Sequence, residues 1–316
     1  MLTDFLNKRK EYSFEILENI KTELEKNINN ENICIVTTGS YARGEASEES
    51  DLDFYVIVKN GDYDLAFDEK ELIQNVINKY IKNDSGDSGT FGSDAIEKLE
   101  TMLKNIGGTK DTNIKLTRRM LFLLESKCLY NEQIYNDVMK RLLSVYIKEA
   151  ISYNQIARFL LNDIIRYYRT ITTDFEYKIN EEGKSWGLRY IKLTYSRKLI
   201  YFAGIISIAQ TQDKNREEKI DILMTLFNKI PLERIDETIK DSNIKSKIFE
   251  LYENFLIKIS DIDIRKELES IRSNNNELPQ NFEDLKNKSK EFSRILIKAI
   301  KETFDKNHRI HEAILF

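Results

Sequence analysis

Ile33-Cys34-Ile35-Val36-Thr37-Thr38-Gly39-Ser40-Tyr41-Ala42-Arg43-Gly44-Glu45, followed by Ser50-Asp51-Leu52-Asp53-Phe54-Tyr55-Val56-Ile57-Val58, decides the fold of this 316-residue chain. Two short apolar runs, Ile33 to Thr37 and Leu52 to Val58, are rich in β-branched and aromatic residues and flank a polar, turn-rich loop. That pattern predicts a pair of strands. Along a strand, alternate side chains share a face. Leu52, Phe54, Val56 and Val58 are therefore expected in a core, with Asp51 and Asp53 together on the opposite face. Two carboxylates side by side repel each other unless a cation lies between them. Magnesium suits such a pair, because it takes a few carboxylate oxygens together with phosphate and water. At the end of the preceding strand, Gly39 lets backbone N–H groups approach a phosphate and Ser40 adds a hydroxyl donor. A short helix opening at Tyr41 to Gly44 would favour an anion at its N-terminus. Arg43 has two readings, neutralisation of phosphate charge or an ion pair with Glu45 or Glu48. One strand thus supplies phosphate donors and the next supplies metal ligands, an arrangement suited to a nucleoside triphosphate (NTP).

The surrounding sequence divides in two. Phe5, Leu6, Ile16, Leu17, Ile20, Leu24 and Ile28 recur at helical spacing behind a Thr3/Asp4 start signal. A helix is expected near Asp68 to Lys82, then a loop at Asn83 to Gly89. A further short helix and the loop Gly107 to Asp111 lead to the apolar stretch Met120 to Leu124. Beyond about residue 130 the periodicity is helical, through 132–148, 151–171, 185–210, 215–229, 244–258 and 282–306, with no expected strand. The fold class is therefore α+β: a small mixed sheet with flanking helices at 1–130, then an all-α substrate-binding or regulatory domain at 131–316.

Composition narrows the function classes. Hydrophobic residues make up 41% and charged residues 32%, with 49 basic against 53 acidic side chains and a formal net charge of −4. A general nucleic-acid coat needs a cationic excess, so this balance argues against one. Cys34 and Cys128 read as small buried apolar residues, not as a disulfide or zinc framework. No signal-peptide core or membrane-length apolar run is evident, and a cytoplasmic location is expected. Gly39 and Gly44 have P-loop spacing, but Glu45 stands where that motif needs Lys. There is no Gly-x-Ser-x-Gly nucleophile elbow. His308 and His311 are expected to be frayed surface residues near the C-terminus.

The string Gly39-Ser40-Tyr41-Ala42-Arg43-Gly44-Glu45 with Ser50-Asp51-Leu52-Asp53 resembles the signature of the DNA polymerase β-like nucleotidyltransferase superfamily. The resemblance implies a nucleotidyltransferase that moves a nucleoside monophosphate from an NTP such as ATP to an acceptor. It implies magnesium ligation by Asp51 and Asp53 and triphosphate contact by Gly39 and Ser40. The run Thr117 to Leu129 and the helical remainder are similar to the nucleotidyltransferase module of the bacterial PII-protein uridylyltransferase and its stand-alone relatives. That likeness favours a protein or small-molecule acceptor, and the acidic balance leans away from RNA. The superfamily usually adds a third carboxylate from a later strand; Asp87, Asp94, Asp111 and Glu125 are the candidates. Without it, a nucleotide-binding regulatory module lacking turnover is the alternative, and a second-messenger synthase is another.

A last stretch carries mixed signals. Asn162, Asp163, Arg166 and Arg169 fall at helical spacing, as do Arg189, Lys192 and Ser196, with Tyr167, Tyr168, Trp186 and Tyr195 nearby. They suit either a phosphate- or base-gripping face or a polar network with Asp163, Asp174 and Glu176.

Overall fold

The computed structural model describes residues 2–61, 63–82, 91–182, 185–275 and 277–315. The elements run α1 (Asp4–Asn27), β1 (Ile33–Thr38), α2 (Gly39–Ala42), β2 (Asp53–Val58), α3 (Phe67–Tyr80), β3 (Ile96–Lys98), α4 (Leu99–Leu103), α5 (Asn113–Glu125), β4 (Lys127–Tyr130) and α6 (Glu132–Tyr146). Then come α7 (Arg158–Asn180), α8 (Gly187–Lys192), a π-helix (Leu193–Arg197), α9 (Lys198–Ala209), α10 (Arg216–Phe227) and α11 (Pro231–Thr238). The last are α12 (Ser242–Ser260), α13 (Ile262–Ser270), α14 (Gln280–Thr303) and α15 (Arg309–Ala313). The class is α+β.

Two compact units emerge, one of Leu6–Ile151 with Asn215–Ile230, the other of Met1–Phe5, Ser152–Lys214 and Pro231–Phe316. The expected boundary near 130 falls inside the first unit, between β4 and α6. That unit also takes in α10, through a sequence-distant return of the chain.

The first unit is built on a four-stranded mixed sheet of order β3-β2-β1-β4. β2 pairs antiparallel with β1 and parallel with β3, while β4 pairs antiparallel with the other edge of β1. The two central strands match the sequence expectation. β3 and β4 were not expected, because both are very short and carry charge (Ile-Glu-Lys and Lys-Cys-Leu-Tyr). Every residue of β1 is buried, and all of β2 except Asp53. Both faces are therefore covered, which accounts for runs that are apolar throughout instead of alternating. Ile33, Ile35, Phe54, Val56 and Val58 form one core with Leu17, Ile20 and Leu24 of α1 and Ile73, Val76 and Ile77 of α3. Those α1 positions lie three to four residues apart, which keeps them on one side of the helix. α5 and α6 pack against β1 as well.

The second unit contains helices and no strand among its described residues. α7 packs on α9, α9 on α11, and α12 on α14. Its centre is aromatic: Tyr195 stacks on Phe255 at 4.6 Å, and the Tyr195 hydroxyl donates to the Leu285 carbonyl at 3.0 Å. Gly187 opens α8 where an added Cβ would lie 2.5 Å from the Leu268 carbonyl oxygen, so α8 and α13 approach as closely as backbones allow. α7 begins at Arg158 rather than at the expected 151, and it continues to Asn180. No described helix is long and apolar enough to cross a membrane.

Candidate active site

The junction of β1, α2 and β2 is set by backbone geometry. Gly39 follows β1 with φ +76°, a left-handed conformation that side chains other than glycine adopt at a cost. A Cβ built there would sit 2.8 Å from Asp53 Oδ2. The Asp53 carboxylate thus lies directly on the glycine backbone, and glycine alone gives it room. Asp53 is the first residue of β2 and stands opposite Thr38, the last residue of β1. Thr37 Oγ1 donates to the Asp53 carbonyl at 2.9 Å and fixes that register. Asp53 is half-buried, whereas Asp51 precedes the strand and is exposed. Leu52, between them, is in the core with Phe54, Val56 and Val58, so the expected alternation extends one residue beyond the ladder.

α2 begins at Gly39, two residues earlier than expected, and makes a single turn. Ser40 is half-buried within it. The loop that follows is tied to α1: Ala46 N–H donates to Ser13 Oγ at 3.0 Å, and Arg9 Nη1 donates to the Ala46 carbonyl at 3.2 Å. Tyr41 is buried, and its hydroxyl is pushed well above its usual pKa by burial. Its hydrogen bond with Tyr12 and the nearby Asp51 charge add to the shift.

Arg43 does not point its charge at open space. Its Nε lies 2.8 Å from Glu45 Oε2, and Nη1 lies 2.5 Å from Glu125 Oε2. All three side chains are almost wholly buried. The ion pair with Glu45 is formed, inside the molecule and with Glu125 as a second acid. It links the loop after α2 to the C-terminal end of α5.

The candidates for a third acid disperse. Glu125 is engaged by Arg43. Asp111 receives both Nη1 and Nη2 of Arg119, at 2.8 and 2.9 Å, and both side chains are fully buried. Burial disfavours the Arg119 charge, but the Asp111 hydrogen bond and the Tyr146 hydroxyl outweigh it and raise its pKa. Asp94 is largely exposed and pairs with Lys70 at 3.0 Å. Asp87 lies outside the described residues. One acid that the sequence reading missed is Glu97 on β3, level with Ile57 of β2 and 3.1 Å from Arg118 Nε. The Arg118 guanidinium also lies 4.2 Å from the centre of the Tyr55 ring. Glu97 was invisible because β3 is too short to show a period. Among the described residues, no three His, Cys, Asp or Glu side chains converge as a metal site.

The histidines are not frayed. The His308 ring caps α15 by accepting from Ile310 N–H at 3.1 Å, and it packs on Phe304 at 4.8 Å. Both histidines line a pocket of about 630 Å³ in the helical unit, with Asn154, Gln212, Lys306 and Arg309. The mixed stretch of the helical unit also resolves. Asp163 lies 3.6 Å from Arg166, and Asp174 pairs with Lys178 at 2.9 Å. Ser196 accepts from the Tyr252 hydroxyl at 3.3 Å, and Trp186, Tyr190 and Phe282 pack on one another.

Residues 17–88 match the family model of the nucleotidyltransferase domain. The matched span holds Gly39, Ser40, Arg43, Asp51 and Asp53, and stops short of Thr117 to Leu129. No curated protein matches the chain.

Proposed function

We propose that the chain transfers a nucleoside monophosphate from an NTP to an acceptor hydroxyl, with Asp51 and Asp53 holding magnesium and Gly39 and Ser40 receiving the phosphates. The observation that carries this reading is the contact of Gly39 with Asp53. A left-handed glycine at the end of β1 seats the first carboxylate of β2 directly against the turn that would receive phosphate. The nucleotidyltransferase match over the same segment supports it. Two carboxylates flanking a buried leucine, beside the start of a helical turn whose first N–H groups have no acceptor within the helix, are a donor set that fits a hard divalent ion shared with phosphate oxygens. Bound there, magnesium would neutralise triphosphate charge.

The protein's own share is positioning. The acceptor oxygen bonds to the α-phosphorus, the α–β phosphoanhydride bond breaks, and pyrophosphate leaves with the bonding electrons while the hydroxyl proton passes to the medium. Gly39 removes the side chain that would block the triphosphate, and Ser40 offers a hydroxyl donor. The Arg43–Glu45–Glu125 cluster keeps the loop after α2 in place. Arg43 is therefore assigned as a positioning residue, since two carboxylates already match its charge. Catalysis by orientation and charge neutralisation is enough for phosphoryl chemistry of this type.

A protein or small molecule is favoured as acceptor, from the likeness of Thr117 to Leu129 and the helical part to the uridylyltransferase module. A second reading has its own observation: no third acid joins Asp51 and Asp53 among the described residues. On that reading the chain binds a nucleotide without turnover and acts as a regulatory module. Incubation with each of the four NTPs and magnesium, with products identified by mass, separates the two. The enzyme reading expects pyrophosphate together with a nucleotidylated acceptor, or a product made from NTP alone if the chain is a second-messenger synthase. Saturable NTP binding with no pyrophosphate from any NTP, across protein and small-molecule acceptors, establishes the regulatory reading instead.

A further inference from the structure

The pocket of about 630 Å³ in the helical unit has no part in the transfer reading. It lies where the chain just after α9 meets the chain between α14 and α15, and its walls include Asn154, Gln212, Lys306, Arg309, His311 and Glu312. Some of its polar groups are used in building it. Gln212 Oε1 accepts the Arg309 backbone N–H at 2.8 Å, while Gln212 Nε2 donates to Asp213 Oδ2 at 3.2 Å. His311 Nε2 lies 3.0 Å from the Asp305 carbonyl oxygen and 3.3 Å from that of Phe304. A carbonyl oxygen only accepts, so that ring nitrogen carries a proton. His308 caps α15 through Nδ1 and also bonds the Ala209 backbone. Burial, with the nearby His311 adding to it, holds the His308 pKa below the usual histidine value, so this ring brings little positive charge at pH 7.

Other side chains of the lining are left over. Among the described residues, Lys306, Arg309 and Glu312 make no side-chain hydrogen bond or ion pair, and neither does the Asn154 amide. Arg309 and Glu312 are three apart on α15, a spacing that allows a pair, yet none forms. Three charged groups therefore line one cavity without reaching one another. Lys306 and Arg309 repel as like charges, and an anion in the cavity relieves that. A guanidinium and an ammonium both suit phosphate oxygens, the first through its planar fork. Glu312 sets a second condition: its carboxylate repels a bare phosphate and accepts only, so it calls for a hydroxyl or amino donor. The cavity is also larger than one phosphate ion and falls in the range of sites for small organic molecules. Leu315, which lines it and is exposed, adds an apolar surface.

We propose that this pocket binds a small phosphate monoester with free hydroxyl groups, its phosphate on Arg309 and Lys306 and a hydroxyl on Glu312. Asn154 supplies an amide that both donates and accepts. Gln212 and His311 already fix the walls, so little ordering cost is left for the ligand to meet. A sugar phosphate and a nucleoside monophosphate share this chemistry, and the experiment separates them. The site is independent of the transfer reading, because it shares no residue with Asp51, Asp53, Gly39 or Ser40.

Isothermal titration calorimetry of the full chain in EDTA tests it, with AMP, glucose 6-phosphate and inorganic phosphate as separate probes. EDTA removes the divalent ion that the transfer site would need. At least one ester should bind saturably with one site per chain, at least about tenfold tighter than inorganic phosphate, and Asp51→Asn/Asp53→Asn should leave that binding unchanged. Arg309→Gln and Lys306→Gln should each weaken it at least about tenfold, and Glu312→Ala should cut the preference for the ester over inorganic phosphate. Tighter binding of AMP identifies a nucleotide as the source, and tighter binding of glucose 6-phosphate a sugar phosphate. Lys306 is exposed and unpaired among the described residues, so its variant reports on binding even if Arg309→Gln weakens the fold. The proposal is overturned if neither ester binds saturably, or if inorganic phosphate binds as tightly as both. It is equally overturned by binding that Lys306→Gln leaves within threefold, or that Asp51→Asn/Asp53→Asn abolishes.

Discussion

Two sets of acids in the sheet-bearing unit show opposite treatment. Asp111 and Glu125 are sunk in the protein, each gripped by an arginine at 2.5–2.9 Å. Asp51 faces solvent, and Asp53 rests on a glycine that leaves space beside it. Buried carboxylates must be matched where they stand, and these are matched by the chain itself, so they act as ties between elements. A carboxylate that serves a ligand needs access and charge to offer. The same residue type, a few elements apart, is structural in one place and chemically available in the other. Exposure alone does not make the difference, because Asp94 is largely exposed and yet is paired with Lys70.

Substitutions sharpen that contrast. Asp53→Asn is expected to lower pyrophosphate release by about a thousandfold, equivalent to about 4 kcal/mol of barrier, while the melting temperature stays near that of the parent. Turnover kinetics beside a thermal melt read both quantities. Asp111→Ala should do the reverse, leaving Arg119 buried without its acid. The expected loss is about 3–5 kcal/mol of stability, measured by urea unfolding of the sheet-bearing unit. Gly39→Ala breaks the comparison at its hinge: a methyl group would meet Asp53 Oδ2 at 2.8 Å in a backbone conformation that disfavours it. About 1–2 kcal/mol of stability should go, with a larger proportional loss of nucleotide affinity. Asp94→Asn is expected to shift stability by no more than about 0.5 kcal/mol and to leave turnover intact. A tenfold activity loss from Asp94→Asn would move that acid into the site and erase the distinction drawn here.

The centre of the fold was legible because it is written locally. β-branched runs at 33–38 and 53–58, an intervening Gly-Ser, and the Asp-Leu-Asp alternation each state their structure within a few residues. Long amphipathic helices such as α1 and α14 were readable for the same reason. The edges of the sheet were not, because three- and four-residue strands such as Ile96–Lys98 offer no period to detect. Equally hidden was the return of α10 to the sheet-bearing unit, which depends on packing between distant segments. The buried pairing of Arg43 needed structure too: its partner Glu125 is 82 positions away. Nothing in the local sequence separates an arginine that meets phosphate from one that holds a loop.

The most direct test of the metal–triphosphate assignment is NTP affinity, measured by equilibrium dialysis with and without magnesium for the parent chain and for Asp51→Asn/Asp53→Asn. The account predicts magnesium-dependent binding that the double substitution weakens at least about a hundredfold without unfolding the protein. Binding that ignores magnesium, or that survives the double substitution, would contradict it.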